Sequence, residues 1–504
     1  MNKLFSIRIS LIVALGGFLL GFDSAVISGT INGITNYFQM TDLELGFAVG
    51  CVIFGAMFGN ISAGPASDRF GRKPILIITA LLFAVSAAWS ALATSYVEFV
   101  VARIIGGVGI GAAILIAPIY IAEIAPPKLR GSLVSLNQLN IVIGISVAYF
   151  SNYFLKDIEV DSWRWMLGIE VIPAIFYFVA LFTVPRSPRW LINQLNKTLD
   201  AHQILQKIGG KEYADTTLEE IVRHKDLKVK KGSYADFFSK KMSLILIIAF
   251  GLAFFQQITG INAIFYYAPT IFEQAGGSTD SSFLQAIVVG LTNLMFTFVA
   301  IYLIDKLGRK PLLIIGTASM TVALFLATLA FNNANYQFSS ENIEKVTQLE
   351  IQQALKQLEG ATFNSQSELF EGVASVTTSD QLQDFKRHYV KNFININAVQ
   401  VLMAILLYVA AFAISLGPVM WTMLSEIFPN NVKGLAISVV GFFNSLVSFS
   451  VTQLFPWELS NLGPTITFAI YTVLAMLSLV FVMKYVVETK GKSLEELEDI
   501  LLSK

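Results

Sequence analysis

The sequence predicts an all-α membrane protein with twelve transmembrane helices arranged in two six-helix halves. Of its 504 residues, 55% are hydrophobic and 14% are charged, which is typical of proteins that cross a membrane many times. A bilayer core is spanned by about 20 apolar residues in a helix, because lipid offers no partner to an unpaired backbone group. Twelve stretches of this kind occur, six before and six after the polar middle of the chain.

Short polar segments separate most of these stretches, and two longer segments interrupt them. The first stretch follows Lys3 and Arg8, and no cleavage site of small residues precedes Asp23. We therefore expect a retained helix and not a signal peptide. The twelve stretches lie at approximately residues 9–31, 45–65, 74–93, 98–120, 131–154, 165–185, 243–272, 284–304, 311–331, 398–423, 434–456 and 465–487.

Two motifs occur twice, once in each half. Asp68-Arg-Phe-Gly-Arg-Lys-Pro74 resembles Asp305-Lys-Leu-Gly-Arg-Lys-Pro311. Glu123-Ile-Ala-Pro-Pro-Lys-Leu-Arg130-Gly131 resembles Glu426-Ile-Phe-Pro-Asn-Asn-Val-Lys433-Gly434. The second pair is farther apart than the first, which indicates an insertion between the later copies. Repeated halves of this kind are typical of secondary transporters.

The charges of the two long polar segments predict the orientation. Bases outnumber acids in residues 186–241, whereas acids outnumber bases in residues 332–396. The positive-inside rule therefore predicts that both termini are cytoplasmic and that 332–396 is external, between helices nine and ten. The predicted units are an N-terminal six-helix half (1–190), a cytoplasmic linker with short helices (191–241) and a C-terminal six-helix half (242–504) that carries the external insertion 332–396.

The external insertion contains stretches that resemble helices. From Glu344 to Leu358, the residues Ile351, Leu355 and Leu358 fall on one face. A small cap over the outer mouth is one interpretation. A solvated loop without its own function is the other, since insertions in loops cost little stability.

Two charged residues lie where a membrane protein tolerates few. Asp23 is well inside the first apolar stretch, where a carboxylate costs on the order of 2.5–3.5 kcal/mol, and Arg103 lies toward the outer half of the fourth. We expect them to pair. Burial favours a neutral carboxyl and a guanidinium favours a charged one, so movement between the two helices would switch Asp23 between holding and releasing a proton. This predicts proton coupling; a static ion pair that only fixes packing is the alternative.

Uncharged polar side chains recur in the apolar stretches, mainly in the second half of the chain. Amides donate and accept hydrogen bonds, and an aromatic face covers the C–H surface of a sugar, so such a set suits a neutral polyhydroxylated ligand. Amides that only join helices are the alternative. The residues are Gln138, Gln256, Gln257, Asn262, Asn293, Trp421 and Asn444.

Other classes of protein lack their characteristic parts in this sequence. We find no nucleotide-binding Gly-rich loop, no Cys/His metal cluster and no Ser-His-Asp arrangement, and the histidines lie in hydrophilic segments. The single cysteine, Cys51, allows no disulfide framework. We therefore expect neither an enzyme nor a cofactor, and no nucleic-acid partner.

The chain resembles the sugar porters of the major facilitator superfamily over nearly all of its length outside 332–396. Each motif alone is weak, and their combination is specific. Besides the two repeated loops, the motifs are Pro118-Ile-Tyr-Ile-Ala-Glu-Ile-Ala-Pro126, Arg130-Gly131, Ser187-Pro188-Arg189, Gln256-Gln257, Gly260-Ile261-Asn262, Tyr266-Tyr267-Ala-Pro269, Gly417-Pro418, Trp421, Glu426-Ile427-Phe428-Pro429 and Glu488-Thr489-Lys490-Gly491.

The resemblance implies the major facilitator fold and roles for particular residues. It implies a hexose or pentose pocket formed by the seven polar residues above, with Tyr266 and Tyr267 near an outer gate. It also implies a cytoplasmic ion-pair network that closes the inner side in the outward-facing state. The network residues are Glu123, Arg130, Arg189, Asp305, Arg309, Glu426, Lys433 and Glu488.

The resemblance also bears on mechanism and substrate. Asp23 with Arg103 matches bacterial proton symporters, so we expect a proton-coupled monosaccharide symporter, monomeric, surrounded by membrane lipid in a bacterial inner membrane. Ile145 and Phe265 resemble the glucose carriers and not the xylose carriers, which favours D-glucose or a similar hexose. A facilitative uniporter and a non-transporting sugar sensor are the alternatives. Three residues depart from the family pattern and bear on the pocket or the inner network: Arg186, Ser445 and Val487.

Overall fold

The computed structural model describes residues 3–158, 161–226, 234–429, 432–492 and 496–497. Both ends of the chain and part of the predicted linker, residues 227–233, lie outside the described residues. Within the described residues, 12 helical spans are long and apolar enough to cross a membrane, as predicted.

The first six spans form the N-terminal half. Five of them are single long helices, and the sixth is made of two helices separated at residues 169–170. The helices are α1 (Lys3–Phe38), α2 (Asp42–Phe70), α3 (Arg72–Leu92), α4 (Tyr96–Ile124), α5 (Arg130–Leu155), α6 (Ser162–Gly168) and α7 (Val171–Phe182).

Short polar helices follow and lead into the second half. The first three pack around a small apolar cluster that includes Trp190, Leu191 and Ala201, and the fourth contributes Phe237 to the main core. A single 3-10 turn at Lys240–Met242 precedes the seventh span. These helices are α8 (Pro188–Leu195), α9 (Thr198–Gly209), α10 (Lys211–Asp226) and α11 (Tyr234–Phe237).

The seventh span is interrupted, although the sequence suggested one apolar stretch. Gly260 has φ of +92°, a left-handed conformation that separates two helices. The next two spans are continuous and end at the insertion. The helices are α12 (Ser243–Ile258), α13 (Ile261–Tyr266), α14 (Ala268–Gln274), α15 (Thr279–Leu307) and α16 (Arg309–Asn332).

The insertion folds into a small subdomain with its own apolar core, which includes Phe338, Leu355 and Phe385. A three-stranded antiparallel sheet has β1 at its centre. Its elements are β1 (Asn335–Gln337), α17 (Ser340–Glu344), α18 (Leu349–Leu355), β2 (Thr362–Phe363), α19 (Gln366–Ala374), α20 (Ser379–His388) and β3 (Ile394–Asn395), with 3-10 turns at Lys356–Leu358 and Val390–Asn392.

Three further spans complete the second half. The tenth is interrupted at Ser415, which lies between two helices and has φ of −124° and ψ of −100°. The helices are α21 (Ala398–Ile414), α22 (Leu416–Ile427), α23 (Lys433–Asn461) and α24 (Gly463–Tyr485).

The bundle has two ends, which we name by what they carry. The subdomain face carries residues 333–397, and the motif face carries the two repeated Gly-Arg-Lys-Pro loops.

The halves are joined near the subdomain face. Lys156 pairs with Asp280 at 2.6 Å, and the Tyr149 hydroxyl donates to the carbonyl of Phe265 at 2.7 Å. The halves are therefore in contact at the subdomain face.

The halves also approach each other closely where α2 meets α23. A Cβ added at Gly46 would lie 1.9 Å from the carbonyl oxygen of Gln453. On the same helix, a Cβ at Gly64 would meet only a side-chain atom of Leu115, at 3.7 Å.

We predict that Gly46→Ala opens the subdomain face. Overpacking costs about 1–3 kcal/mol, and here the cost falls only on the conformation in which the halves touch, so we expect a shift of roughly 5- to 150-fold toward the open conformation. The measurement is the labelling rate of a cysteine at Ile53, in a Cys51→Ser background, by a maleimide applied to the subdomain face. Gly64→Ala is the matched control, and equal rates for the two variants would contradict the prediction.

Candidate functional site

A cavity of about 300 Å³ lies between the halves. It reaches toward the motif face, since Asn60 and Ile301 from the later parts of α2 and α15 line it. The seven polar residues singled out in the sequence all line this cavity: Gln138, Gln256, Gln257, Asn262, Asn293, Trp421 and Asn444.

The amides of the second half form a continuous hydrogen-bonded network. Asn444 Nδ2 donates to Gln256 Oε1 at 2.9 Å, and Gln257 Nε2 donates to Asn444 Oδ1 at 3.1 Å. Asn262 Nδ2 donates to Gln257 Oε1 at 2.9 Å and to Ser448 Oγ at 2.6 Å. This network holds the amides in fixed orientations before any ligand binds, which lowers the entropy cost of binding.

The helix interruptions position these amides. Gln256 precedes the break at Gly260, and its Nε2 donates to the carbonyl of Leu416, just beyond the break at Ser415, at 2.9 Å. The Tyr408 hydroxyl donates to the carbonyl of Thr259 at 2.8 Å. Irregular backbone inside a membrane protein is tolerated where such partners satisfy it or where it borders a cavity.

The first half and α15 supply the opposite wall. Gln138 on α5 is exposed to the cavity, and Asn293 on α15 lines the cavity although its side chain is largely buried.

Aromatic and apolar side chains also line the cavity. Trp421 on α22 keeps 40% of its surface exposed, so an aromatic face remains open to a ligand. Apolar wall is supplied by Ile145 and Phe265.

Asp23 and Arg103 form an ion pair that is almost completely buried, with exposed fractions of 2% and 1%. Arg103 Nη1 donates to Asp23 Oδ1, and Nη2 approaches the backbone carbonyl of Asp23 at 3.3 Å. Two contacts to one residue fix the guanidinium of α4 against α1.

A second buried carboxyl adjoins this pair and was missed in the sequence analysis. Glu170, between α6 and α7, is 1% exposed and its side chain contacts that of Asp23. Within the described part of the chain, no donor reaches Asp23 Oδ2 or Glu170 Oε1. The signal was available, because Glu170 lies inside the sixth apolar stretch and meets the criterion that singled out Asp23.

The two tyrosines that the resemblance places near an outer gate line two different cavities. Tyr266 lines the central cavity and its side chain interacts with that of Ser24, the residue next to Asp23. Tyr267 lines a separate cavity of about 380 Å³ beneath the subdomain, and its hydroxyl donates to the carbonyl of Thr452 at 3.2 Å. The two residues therefore separate the central cavity from the subdomain face.

The charged residues of the motif face form two clusters, one in each half. In the N-terminal half, Glu123 pairs with Arg72 at 3.0 Å and also interacts with Ser187 and Arg189. Arg130 has a buried Nε for which the described residues offer no partner. Arg72 is an additional member that the sequence analysis did not assign to the network.

In the C-terminal half, Arg309 pairs with Glu426 at 2.7 Å and with Asp305 at 3.3 Å. Thr489 donates to Glu426 at 2.6 Å, and Lys433 lies close enough to Glu426 to interact with it electrostatically. These contacts stay within one half of the molecule.

Glu488 fixes the start of α16. Burial alone would raise the pKa of its carboxyl, but backbone N–H groups of Lys490, Arg309 and Lys310 donate to it at 2.7, 3.0 and 2.9 Å. Because these bonds stabilise the charged form, the pKa of Glu488 is lowered overall.

Arg186, one of the three departures, lies within the N-terminal half. Its guanidinium stands 5.8 Å from the ring centroid of Trp190 and interacts electrostatically with Lys73. Trp190 in turn donates from Nε1 to the carbonyl of Asp68 at 2.8 Å.

Two repeated halves of six spans, an amide-lined central cavity and broken helices beside it define a secondary transporter of the major facilitator type. The family described as "Sugar (and other) transporter" matches residues 9–345 and 385–501, and the chain belongs to this family. It is accordingly a transporter and not an enzyme. The matched ranges omit residues 346–384, which lie within the subdomain.

Individual relatives cover nearly the whole chain. The D-xylose-proton symporter of Escherichia coli (strain K12) is 35% identical, over 99% of this chain and 96% of its own. The arabinose-proton symporter of Bacillus subtilis (strain 168) is also 35% identical, over 98% and 95%. The inward open conformation of the xylose transporter XylE from E. coli superposes with a TM-score of 0.75 at 34% identity, over 98% of this chain and 99% of the other.

We predict that Arg103→Met strongly destabilises the protein, because it leaves the buried Asp23 carboxyl without its counter-charge; breaking a buried pair costs about 3–5 kcal/mol. The double variant with Asp23→Asn should recover most of that loss. Thermal unfolding in detergent measures both. A single Arg103→Met variant as stable as the native protein would contradict the prediction.

Proposed function

We propose that this protein couples the uptake of a monosaccharide to the inward movement of a proton by alternating access. The observation that carries the proposal is the buried cluster of Asp23, Arg103 and Glu170, which adjoins Ser24 and Tyr266 in the wall of the central cavity. Its xylose and arabinose relatives are proton symporters by name, which supports the same coupling here.

Charge balance in the cluster indicates where the proton would bind. Two carboxyl groups and one guanidinium are buried together, so neutrality requires one proton on the carboxyl pair. That proton also lets the contact between Asp23 and Glu170 become a hydrogen bond, because neither Asp23 Oδ2 nor Glu170 Oε1 has a donor among the described residues. Separation of α1 from α4 would leave Asp23 without its cation and favour binding of a second proton.

The sugar would bind in the central cavity. The volume of the cavity, about 300 Å³, lies at the lower end of the range of volumes of ligand pockets in proteins, which suits a single sugar ring. The amide network supplies donors and acceptors without a charged anchor, as a neutral ligand requires. Ile145 and Phe265 keep part of the wall apolar, and a glucose transport protein of Synechocystis is 34% identical. The resemblance of these two residues to those of the glucose carriers and the similarity to this relative both support D-glucose or a similar hexose.

The charges of the motif face support an orientation in the membrane, and the closed subdomain face supports a conformation. The basic motif face would be cytoplasmic in a bacterial inner membrane, with both termini inside. The subdomain face would then be external, and the structure described here would be inward-facing. The similarity to the inward open xylose transporter supports this assignment. In the outward-facing state, the two motif-face clusters would meet and form one network.

We predict that Asp23→Asn abolishes accumulation of sugar against its gradient and preserves sugar counterflow, because coupling needs the titratable group and binding does not. Both activities are measured in proteoliposomes with an imposed pH gradient. Glu458→Gln is the matched control: Glu458 also lies in a membrane span, bonded to Tyr471 and away from the cluster. Full accumulation by Asp23→Asn would contradict coupling through Asp23, whereas counterflow without accumulation in the native protein would point to a facilitative uniporter.

We also predict that Gln256→Ala, Asn262→Ala and Trp421→Ala each weaken sugar binding. A buried hydroxyl that loses its amide partner costs about 1–3 kcal/mol. Calorimetry with a panel of hexoses and pentoses measures the affinity and identifies the preferred sugar. Asn461→Ala, at the exposed end of α23, serves as the control. Native affinity in all three pocket variants would place the sugar elsewhere.

A further inference from the structure

One carboxylate near the subdomain face joins three parts of the molecule. Glu273 lies on α14, just beyond the tyrosines that separate the two cavities, and is 5% exposed. Asn32 Nδ2, on α1 of the first half, donates to its two oxygens at 3.4 and 3.3 Å. Lys391 Nζ, in the subdomain, donates to Oε2 at 3.1 Å. The same carboxylate thus contacts both halves and the insertion.

The subdomain holds Lys391 in place. The neighbouring side chains Tyr389, Val390 and Phe393 are all part of the apolar core of the subdomain. The strand after it also lies against the turn that follows α14, since a Cβ on Gly276 would stand 3.3 Å from Ile394. The lysine is therefore presented by a packed structure and not by a free loop.

Removing Lys391 would change what Glu273 does. A carboxylate buried to this degree keeps its charge at low cost only when a cation or several donors face it. Asn32 supplies two weak contacts, and Lys391 supplies the charge. Without Lys391, the carboxylate gains by leaving the closed interface for water, and that movement carries α14 away from α1.

We propose that the subdomain is a latch for the external gate, in which Lys391 and Glu273 hold α14 against Asn32 of α1 and favour the closed gate. The latch would regulate the gate of the proposed transporter, so the proposal rests on the proposed function. The lysine belongs to the inserted segment, and part of the subdomain core lies in residues 346–384, outside the ranges that match the family.

The latch predicts a change in gate opening that does not depend on sugar or protons. Intact cells carry a cysteine at Ile53, which lines the central cavity, in a Cys51→Ser background. A membrane-impermeant maleimide then reaches it only through the open external gate. We expect Lys391→Ala to raise the labelling rate on the order of tenfold, as typical coupling energies imply, and Lys391→Arg to keep the native rate.

Two comparisons separate the latch from a general effect on the subdomain. Lys345→Ala removes a lysine of the same subdomain that pairs with the exposed Glu341 at 2.9 Å and donates to Asn342 at 3.3 Å, and the labelling rate should not change. Exchange of the charges, Glu273→Lys with Lys391→Glu, should bring the rate back toward the native value, whereas each single change should raise it. A cysteine at the exposed Ser375 reports that the subdomain is external in every variant.

A native labelling rate in Lys391→Ala would overturn the latch, as would an equal increase in Lys345→Ala or a double exchange no slower than its single variants. Since labelling needs neither a gradient nor a substrate, a chain that fails to couple protons would still show the effect. The result thus stands apart from the test of symport.

Discussion

The contact between Asp23 and Arg103 ties α1 to α4 at a depth where neither charge can be left alone. Because an unpaired ion in the membrane interior is costly, the two helices cannot separate unless the charge on Asp23 changes. The side chain of the neighbouring residue Ser24 interacts with that of Tyr266 in the second half. A single electrostatic constraint is thereby connected to the segment that closes the central cavity toward the subdomain face.

The two halves share one topology and divide the chemistry between them. The first half holds the buried acids and the arginine, whereas the second half supplies the amide network and the broken helices around it. Under the proposed function, proton and sugar would bind to different parts of the bundle and influence each other through helix positions. This division would let the pocket remain uncharged, which suits a neutral sugar, and would keep the charged cluster out of contact with the ligand.

Much of this arrangement could be predicted from the sequence, because membrane helices follow simple length and polarity rules. Asp23 and Arg103 were found as charges in apolar stretches, and Glu170 was missed although the same rule applies to it. The break at Gly260 depends on backbone conformation, which hydropathy does not report. The contact of Lys391 with Glu273 could not be predicted, because it depends on how the inserted segment folds. The sequence predicted that Ile351 and Leu355 share one helix face, but it did not predict the subdomain core to which both belong.

The most direct test of the account is whether protons move with the sugar. Proteoliposomes that contain the protein and a pH-sensitive dye, with no imposed gradient, are given a sugar that counterflow has shown to be carried. The account predicts that protons leave the outer medium as the sugar enters, and that a protonophore abolishes the pH change while sugar equilibration continues. Sugar uptake with no proton movement would contradict coupling through Asp23, Arg103 and Glu170.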